Sequence, residues 1–178
     1  MKKMVFIVGG ARSGKSSHAV NLAKSGGQKV IFLATCTFYD DEMKERIKRH
    51  QGSRPASWEV ITEGQKIGDV LEKFSSPTTT ILVDCLGMWV ANLMEFHPQD
   101  ESLEAEFEKF TRAITEAQGL VIVVSNEVGC GVVPPTAMGR RFRDLLGRLN
   151  QIMAQVADEV ILMQLGIPTK LKGKRTDQ

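Results

Sequence analysis

Residues 9–16, GGARSGKS, fit the pattern G-x-x-x-x-G-K-S, and each residue type in it has a use in holding a phosphate chain. Gly9 and Gly14 permit backbone angles that a side chain forbids and let main-chain amides turn inward around an anion. Gly10, Ala11, Arg12 and Ser13 complete the loop between them. Lys15 is placed to reach the β- and γ-phosphates, and the Ser16 hydroxyl to ligate Mg2+. A glycine-rich turn without chemistry is the competing reading. The context argues against it. The apolar run MVFIV (4–8) precedes the loop, and a helix beginning at Lys15 follows. That helix start adds free N–H groups and the positive end of a dipole.

A bound magnesium ion needs an acid at the end of a neighbouring apolar strand. Asp84, which closes TTTILVD (78–84), is the candidate. Acids also end strands merely because solvent begins there. Glu127, just after the strand GLVIVVS (119–125), is a second candidate; it could organise a water, a substrate hydroxyl or its own loop. No N-K-x-D guanine reader is present, which speaks against a molecular switch. Nothing resembles a large lid or a DNA-reading module.

A second group of chemically capable residues lies in ERIKRHQGSRP (45–55). Here His50 stands among Arg46, Lys48, Arg49 and Arg54. The bland reading is a surface helix with i, i+4 ion pairs such as Glu42–Arg46 and Glu45–Arg49. The sharper reading is a nucleophilic histidine in an anion-binding patch, with Arg54 and its neighbours holding phosphates. Nearby cations favour the neutral imidazole that attacks phosphorus. A helix C-terminus at this point favours imidazolium instead.

These residues need a scaffold, and the rest of the chain supplies its pattern. Apolar runs of strand length at 4–8, 29–35, 78–84, 119–125 and 159–165, with a shorter candidate at 57–62, alternate with stretches of helical period. Helices are expected over about 15–24, 40–50, 88–95 and 136–157. Ile67, Val70, Leu71 and Phe74 mark a further apolar face, and so do Leu103, Phe107, Phe110, Ile114 and Ala117. In the last helix Phe142, Leu145, Leu149, Ile152 and Val156 are expected inward. Such alternation implies an α/β domain with a mostly parallel sheet flanked by helices.

The chain has 178 residues, and one domain spanning 1–178 is expected, with a short basic tail from about 170. The net charge is +2, so no large field draws the protein to nucleic acid or a membrane. Cys36, Cys85 and Cys130 are an odd number and far apart, which fits a reducing cytoplasm better than a disulfide scaffold. No apolar run is long enough to cross a bilayer, and the apolar stretch near the start is too short for a signal peptide.

In order along the chain stand GGARSGKS, RIKRHQGSRPASW, ILVDCLGMWVANL, VSNEVGCGVVP, RRFRDLLGRLNQ and ADEVILMQLGIPTKLK. Together they resemble the bifunctional adenosylcobinamide kinases / adenosylcobinamide-phosphate guanylyltransferases of cobalamin biosynthesis. The phosphate loop alone is shared by many families; NEVGCGVVP followed by FRDLLGRLNQ is far more specific. The resemblance spans residues 4–172 and implies a P-loop NTPase-like (RecA-like) fold.

It also implies two reactions. The γ-phosphoryl of GTP or ATP passes to the hydroxyl of the aminopropanol arm of adenosylcobinamide. A histidine then takes GMP from GTP, and the new phosphate displaces it to give adenosylcobinamide-GDP. By its spacing to RP and W, that histidine is His50. Mg2+ as cofactor and a homotrimer are implied in the same way. Two readings compete: a P-loop kinase of another small alcohol with His50 inert, and a nucleotide-binding regulatory protein without turnover. NEVGCGVVP shapes the corrinoid or nucleotide side, or is a structural turn. Arg140, Arg141 and Arg143 bind phosphates, or form a solvated helix face. One departure stands out: the family pattern usually carries threonine where this chain has Gly87. If that hydroxyl holds substrate or metal, its loss weakens the kinase step.

Overall fold

The computed structural model describes residues 3–26, 29–37, 55–97 and 99–173. Seven strands form one sheet: β1 (Lys3–Gly9), β2 (Lys29–Ala34), β3 (Glu59–Thr62), β4 (Thr79–Asp84), β5 (Leu120–Asn126), β6 (Glu159–Gln164) and β7 (Ile167–Lys172). Their spatial order is β3-β2-β4-β5-β1-β6-β7. All neighbours are parallel except β6 and β7. Among the described residues the helices are α1 (Lys15–Ser25), α2 (Ile67–Phe74), α3 (Leu86–Phe96), α4 (Asp100–Glu116) and α5 (Ala137–Val156).

The central strands are continuous apolar runs because both of their faces are covered. Alternate residues feed two separate cores. Val5 and Ile7, Val30 and Phe32, Leu82, Ile122 and Val124 pack with Ala19, Val20 and Ala23 of α1. Met4, Phe6 and Val8, Ile31 and Leu33, Ile81 and Val83, Val121 and Val123 face the other way. There they meet Leu71 of α2, Leu93 of α3, Phe110 of α4 and Leu149 of α5.

This division of helices sets the position of the site. The chain leaves the end of β1 toward α1 on one face and the end of β5 toward α5 on the other. A crevice opens between such diverging strand ends, outside the carboxyl edge of the sheet. β1 and β5 are direct neighbours, in register from Lys3↔Leu120 to Gly9↔Asn126.

An aromatic cluster anchors the larger core. Trp89 of α3 packs against Phe107 and Phe110 of α4, with ring centroids 5.5 and 5.0 Å away and tilted geometry. The Trp89 indole N–H donates to the Gln65 carbonyl at 2.7 Å, so the ring is buried with its polar handle satisfied. α5 is capped by Thr136, whose hydroxyl accepts from the Gly139 N–H at 3.1 Å. Lys172 closes its other end by donating to the carbonyls of Ala154 (3.0 Å) and Gln155 (2.7 Å).

Two expectations change. The inward face of α5 is Leu145, Leu146, Leu149 and Met153, with Phe142 and Ile152 half-buried and Val156 exposed. Val156 is the last residue of the helix. The sequence reading ends the sheet at 165 and leaves a solvated basic tail from 170. Instead, residues 167–172 add the antiparallel strand β7, and Lys170 pairs with Glu159 at 3.1 Å. IPTKLK hides its strand character because an exposed edge tolerates proline and lysine. The helix expected over 40–50 lies outside the described residues, as do 174–178.

Phe110 is fully buried. Phe110→Ala is expected to lower unfolding free energy in urea by about 3–5 kcal/mol. A loss below about 1 kcal/mol, the scale of a surface change, would remove the aromatic cluster from the core.

Candidate nucleotide site

The loop from Gly9 to Ser16 joins β1 to α1 at the crevice. Gly14 sits at φ 92° as the residue before α1, a left-handed conformation suited to glycine. Gly9 is glycine for a different reason. A Cβ there would lie 2.3 Å from the Met163 carbonyl oxygen of β6 and 2.9 Å from Ser13 Oγ. The loop is thus pressed against the end of β6. The β6–β7 turn, Leu165 and Gly166, fastens it further, for the Gly166 N–H donates to the Ser13 carbonyl at 3.1 Å.

Inside this loop the polar groups are turned inward. Ser13 Oγ is buried and has no hydrogen-bond partner among the described residues. Lys15 is only 8% exposed, and its ammonium donates to the Gly10 carbonyl at 2.7 Å. Burial lowers the pKa of Lys15; the neighbouring Cys85 and Asp84 act against that shift. Ser16 is half-buried in the first turn of α1, and Ala11 and Arg12 lie exposed on the outer rim.

Asp84 comes from β4, which β5 separates from β1. Leu82 faces α1, so the alternation puts Asp84 on the same side, and its charge acts on Lys15. Its backbone is gripped by the residue that follows β2, Thr35. The Thr35 hydroxyl donates to the Cys85 carbonyl at 2.7 Å and accepts from the Cys85 N–H at 2.9 Å. The Thr35 N–H donates to the Asp84 carbonyl at 3.3 Å. Asn92 of α3 in turn donates to the carbonyls of Thr35 (2.7 Å) and Gly64 (2.9 Å). Burial, followed by the charge of Asp84, pushes the Cys85 thiol up to about 12, so it stays protonated at neutral pH.

The donor set suits Mg2+. Ser16 and Asp84 offer hard oxygen ligands, and magnesium fills the rest of its octahedron with waters and substrate phosphate oxygens. Among the described residues no cluster of three or more His, Cys, Asp or Glu could hold a metal by itself. An ion here would share its coordination with a phosphate chain.

Glu127 is brought beside the loop but turned to other work. Its N–H donates to the Gly9 carbonyl at 3.0 Å. Its carboxylate accepts from the N–H groups of Gly129 (2.7 Å) and Cys130 (3.2 Å). Partial burial pushes its carboxyl upward, but hydrogen bonds from the Cys130 thiol and these amides hold it below the usual range. Of its three possible tasks, organising its own loop is the one seen. Arg140 donates to the Pro134 (3.1 Å) and Pro135 (2.9 Å) carbonyls and so braces that loop. Arg143 reaches Asp144 at 3.4 Å, and Arg141 is half-buried. His50 and Arg54 lie outside the described residues.

Sequence reasoning passed over Thr35, Asn92 and Gly166. Their roles depend on partners far along the chain, and no local motif marks them.

Comparison with known proteins agrees with this geometry. The chain matches the family "cobinamide kinase / cobinamide phosphate guanyltransferase" over residues 5–171. It is 38% identical to the bifunctional adenosylcobalamin biosynthesis protein CobP of Pseudomonas aeruginosa, covering 95% of this chain and 97% of that one. It is 34% identical to the bifunctional adenosylcobalamin biosynthesis protein CobU of Escherichia coli, covering 95% and 99%. In fold it is similar to the RadB recombinase, with a TM-score of 0.55 at 15% identity over 90% of this chain and 74% of that one. Phosphate loop, RecA-like sheet and full-length likeness converge: the chain belongs to the cobinamide kinase / cobinamide phosphate guanyltransferase family of bifunctional transferases.

Proposed function

We propose that one triphosphate site, built by residues 9–16 and Asp84, serves both transfers on a cobinamide. The observation that carries this reading is the buried Lys15 ammonium, which feels the charge of Asp84 and lies in a loop whose Ser13 hydroxyl has no partner among the described residues. Such a cation is stabilised by anions, and a β,γ-phosphate chain supplies them.

In the kinase step, the loop amides of Gly9, Gly10, Ala11, Arg12, Ser13 and Gly14 cradle the phosphates of GTP or ATP. Lys15 offsets the charge that spreads over the γ-phosphoryl oxygens. The Ser16 hydroxyl and the Asp84 carboxylate would hold Mg2+, which supplies charge neutralisation and in-line orientation when bound. The acceptor is the aminopropanol hydroxyl of adenosylcobinamide.

In the second step, the neutral imidazole of His50 attacks the α-phosphorus of GTP and pyrophosphate leaves. A phosphate oxygen of adenosylcobinamide phosphate then attacks the same phosphorus, forms the diphosphate and releases the imidazole. The covalent intermediate splits a displacement between two bulky anions into two simpler ones. Arg54 is assigned to phosphate binding beside His50. What supports these two assignments is the match of RIKRHQGSRPASW to the family pattern.

The loop at 127–136 stands next to the phosphate loop and exposes Val132 and Val133. This apolar lip supports a role on the corrinoid side. A homotrimer is proposed as well. Every residue of β7 is exposed, Ile167 and Leu171 among them, and an edge strand of this kind favours self-association. A cytoplasmic location accords with Cys36, Cys85 and Cys130 remaining thiols rather than disulfides. Among the described residues no helix is long and apolar enough to cross a membrane.

Lys15→Ala is expected to reduce kcat for phosphorylation of adenosylcobinamide at least about 100-fold, the scale of losing one charge-stabilising donor. Steady-state assays with GTP and with ATP measure it, and wild-type turnover would refute the assignment. His50→Ala is expected to keep phosphorylation and to lose the GMP adduct. Intact-protein mass after incubation with GTP reads this: wild type gains one GMP, in a bond cleaved by acid, and the variant gains none. An adduct that survives in His50→Ala would place the nucleophile elsewhere.

A further inference from the structure

The crevice between β1 and β5 holds a carboxamide to which the nucleotide site gives no task. Asn126 is the last residue of β5, paired in register with Gly9 at the start of the phosphate loop. Two residues before it, Val124 pairs with Asp84 on β4. Asn126 therefore ends the strand that separates the loop from Asp84, level with the start of the loop and two residues beyond the acid. Ile122 and Val124 face α1, so the alternation aims Asn126 to the side that carries Lys15 and Asp84.

The carboxamide is not needed to hold the strand. The backbone at this point is secured by other groups. Asn150 of α5 donates to the Asn126 carbonyl at 3.0 Å and accepts from the buried Ser125 hydroxyl at 2.6 Å. The next N–H, that of Glu127, donates to the Gly9 carbonyl at 3.0 Å. The Asn126 side chain lies instead against the first turn of α3. A Cβ added at Gly87 would stand 3.3 Å from its Nδ2 and 3.7 Å from its Cγ. It is half-buried, and no hydrogen bond of its carboxamide is formed among the described residues. Neither of its polar atoms is among the buried side-chain atoms left unsatisfied, so its donor and its acceptor are both reached by solvent and open to a ligand.

We propose that Asn126 is a catalytic residue of the kinase step, its Nδ2 donating to a γ-phosphoryl oxygen and its Oδ1 accepting from the incoming hydroxyl. The proposal rests on the triphosphate site assigned above. The hydroxyl oxygen forms a bond to the γ-phosphorus as the bond to the β,γ-bridging oxygen breaks. The electron pair leaves on the nucleoside diphosphate. The hydroxyl proton passes to a non-bridging oxygen of the transferred group and on to solvent. Asn126 changes no protonation state. It aligns the two reactants in a loose transition state where little base strength is required. Gly87 then bears on this step through the room it leaves for the carboxamide.

The test compares Asn126→Ala, Asn126→Ser and Lys15→Ala with wild type in the 178-residue chain. The first two carry neutral side chains that do not reach the γ-phosphoryl group. Four quantities are read: melting temperature, binding of a fluorescent GTP analogue, kcat and KM for phosphorylation of adenosylcobinamide, and the mass of the GMP adduct. Both Asn126 variants are expected to melt like wild type and to bind GTP within about threefold. They are expected to form the GMP adduct but to lose at least about 100-fold in kcat with little change in nucleotide KM. A folded Asn126 variant with kcat within about threefold of wild type would overturn the proposal. Equal loss of GTP binding or of the adduct would overturn it too, since the carboxamide would then serve the nucleotide in general. Unfolding of both variants would assign it to the strand and has the same consequence. Wild-type turnover in Lys15→Ala would bring down the triphosphate site and this inference with it. An inactive Lys15→Ala beside active Asn126 variants would sink this inference alone.

Discussion

A lysine ammonium buried at the carboxyl edge of a parallel sheet is the constraint on which the structure turns. A buried cation is costly unless anions and acceptors face it. Lys15 has one carbonyl, that of Gly10, and the charge of Asp84 from a strand two places away. The sheet order is what makes this pairing possible. β5 inserts between β1 and β4, so the loop and the acid stand on either side of the end of one strand. Much of the neighbouring structure holds that arrangement. Gly9 lets the loop close onto β6, the Leu165–Gly166 turn pins Ser13 from behind, and Thr35 grips the backbone on which Asp84 is mounted.

A single phosphate cradle also explains how a small domain can run two transfers. Both reactions begin with a nucleoside triphosphate and differ in which phosphorus is attacked. One cradle of the kind proposed, by fixing the phosphate chain, would present γ- and α-phosphorus to different nucleophiles. The loop after β5 stands at the mouth of the crevice with its acid, Glu127, committed to its own turn. Its exposed valines, Val132 and Val133, leave an apolar surface at that mouth.

The strands and the phosphate loop were legible in the sequence because their constraints are local. An apolar run followed by GGARSGKS can be read without knowing what lies across from it. α4 was legible for a similar reason, since Leu103, Phe107, Phe110, Ile114 and Ala117 repeat on one face and all are buried. β7 was not, because its residues answer to an exposed edge and to the end of α5 that Lys172 closes. Thr35, Asn92 and Asn126 were not legible either. Thr35 meets Cys85 at a separation of 50 residues, and Asn92 meets Thr35 at 57. Only the folded sheet brings such pairs together. The role proposed for His50 comes from the family resemblance, for on composition alone its local pattern favours a solvated helix face.

The central claim is that the loop around Lys15 encloses the triphosphate. A crystal structure with a non-hydrolysable GTP analogue and magnesium tests it most directly. The account predicts the β- and γ-phosphates within hydrogen-bonding distance of Lys15 Nζ and the loop amides, with the metal between the Ser16 hydroxyl, Asp84 and the phosphates. A triphosphate bound elsewhere, with Lys15 still donating to the Gly10 carbonyl, would contradict it.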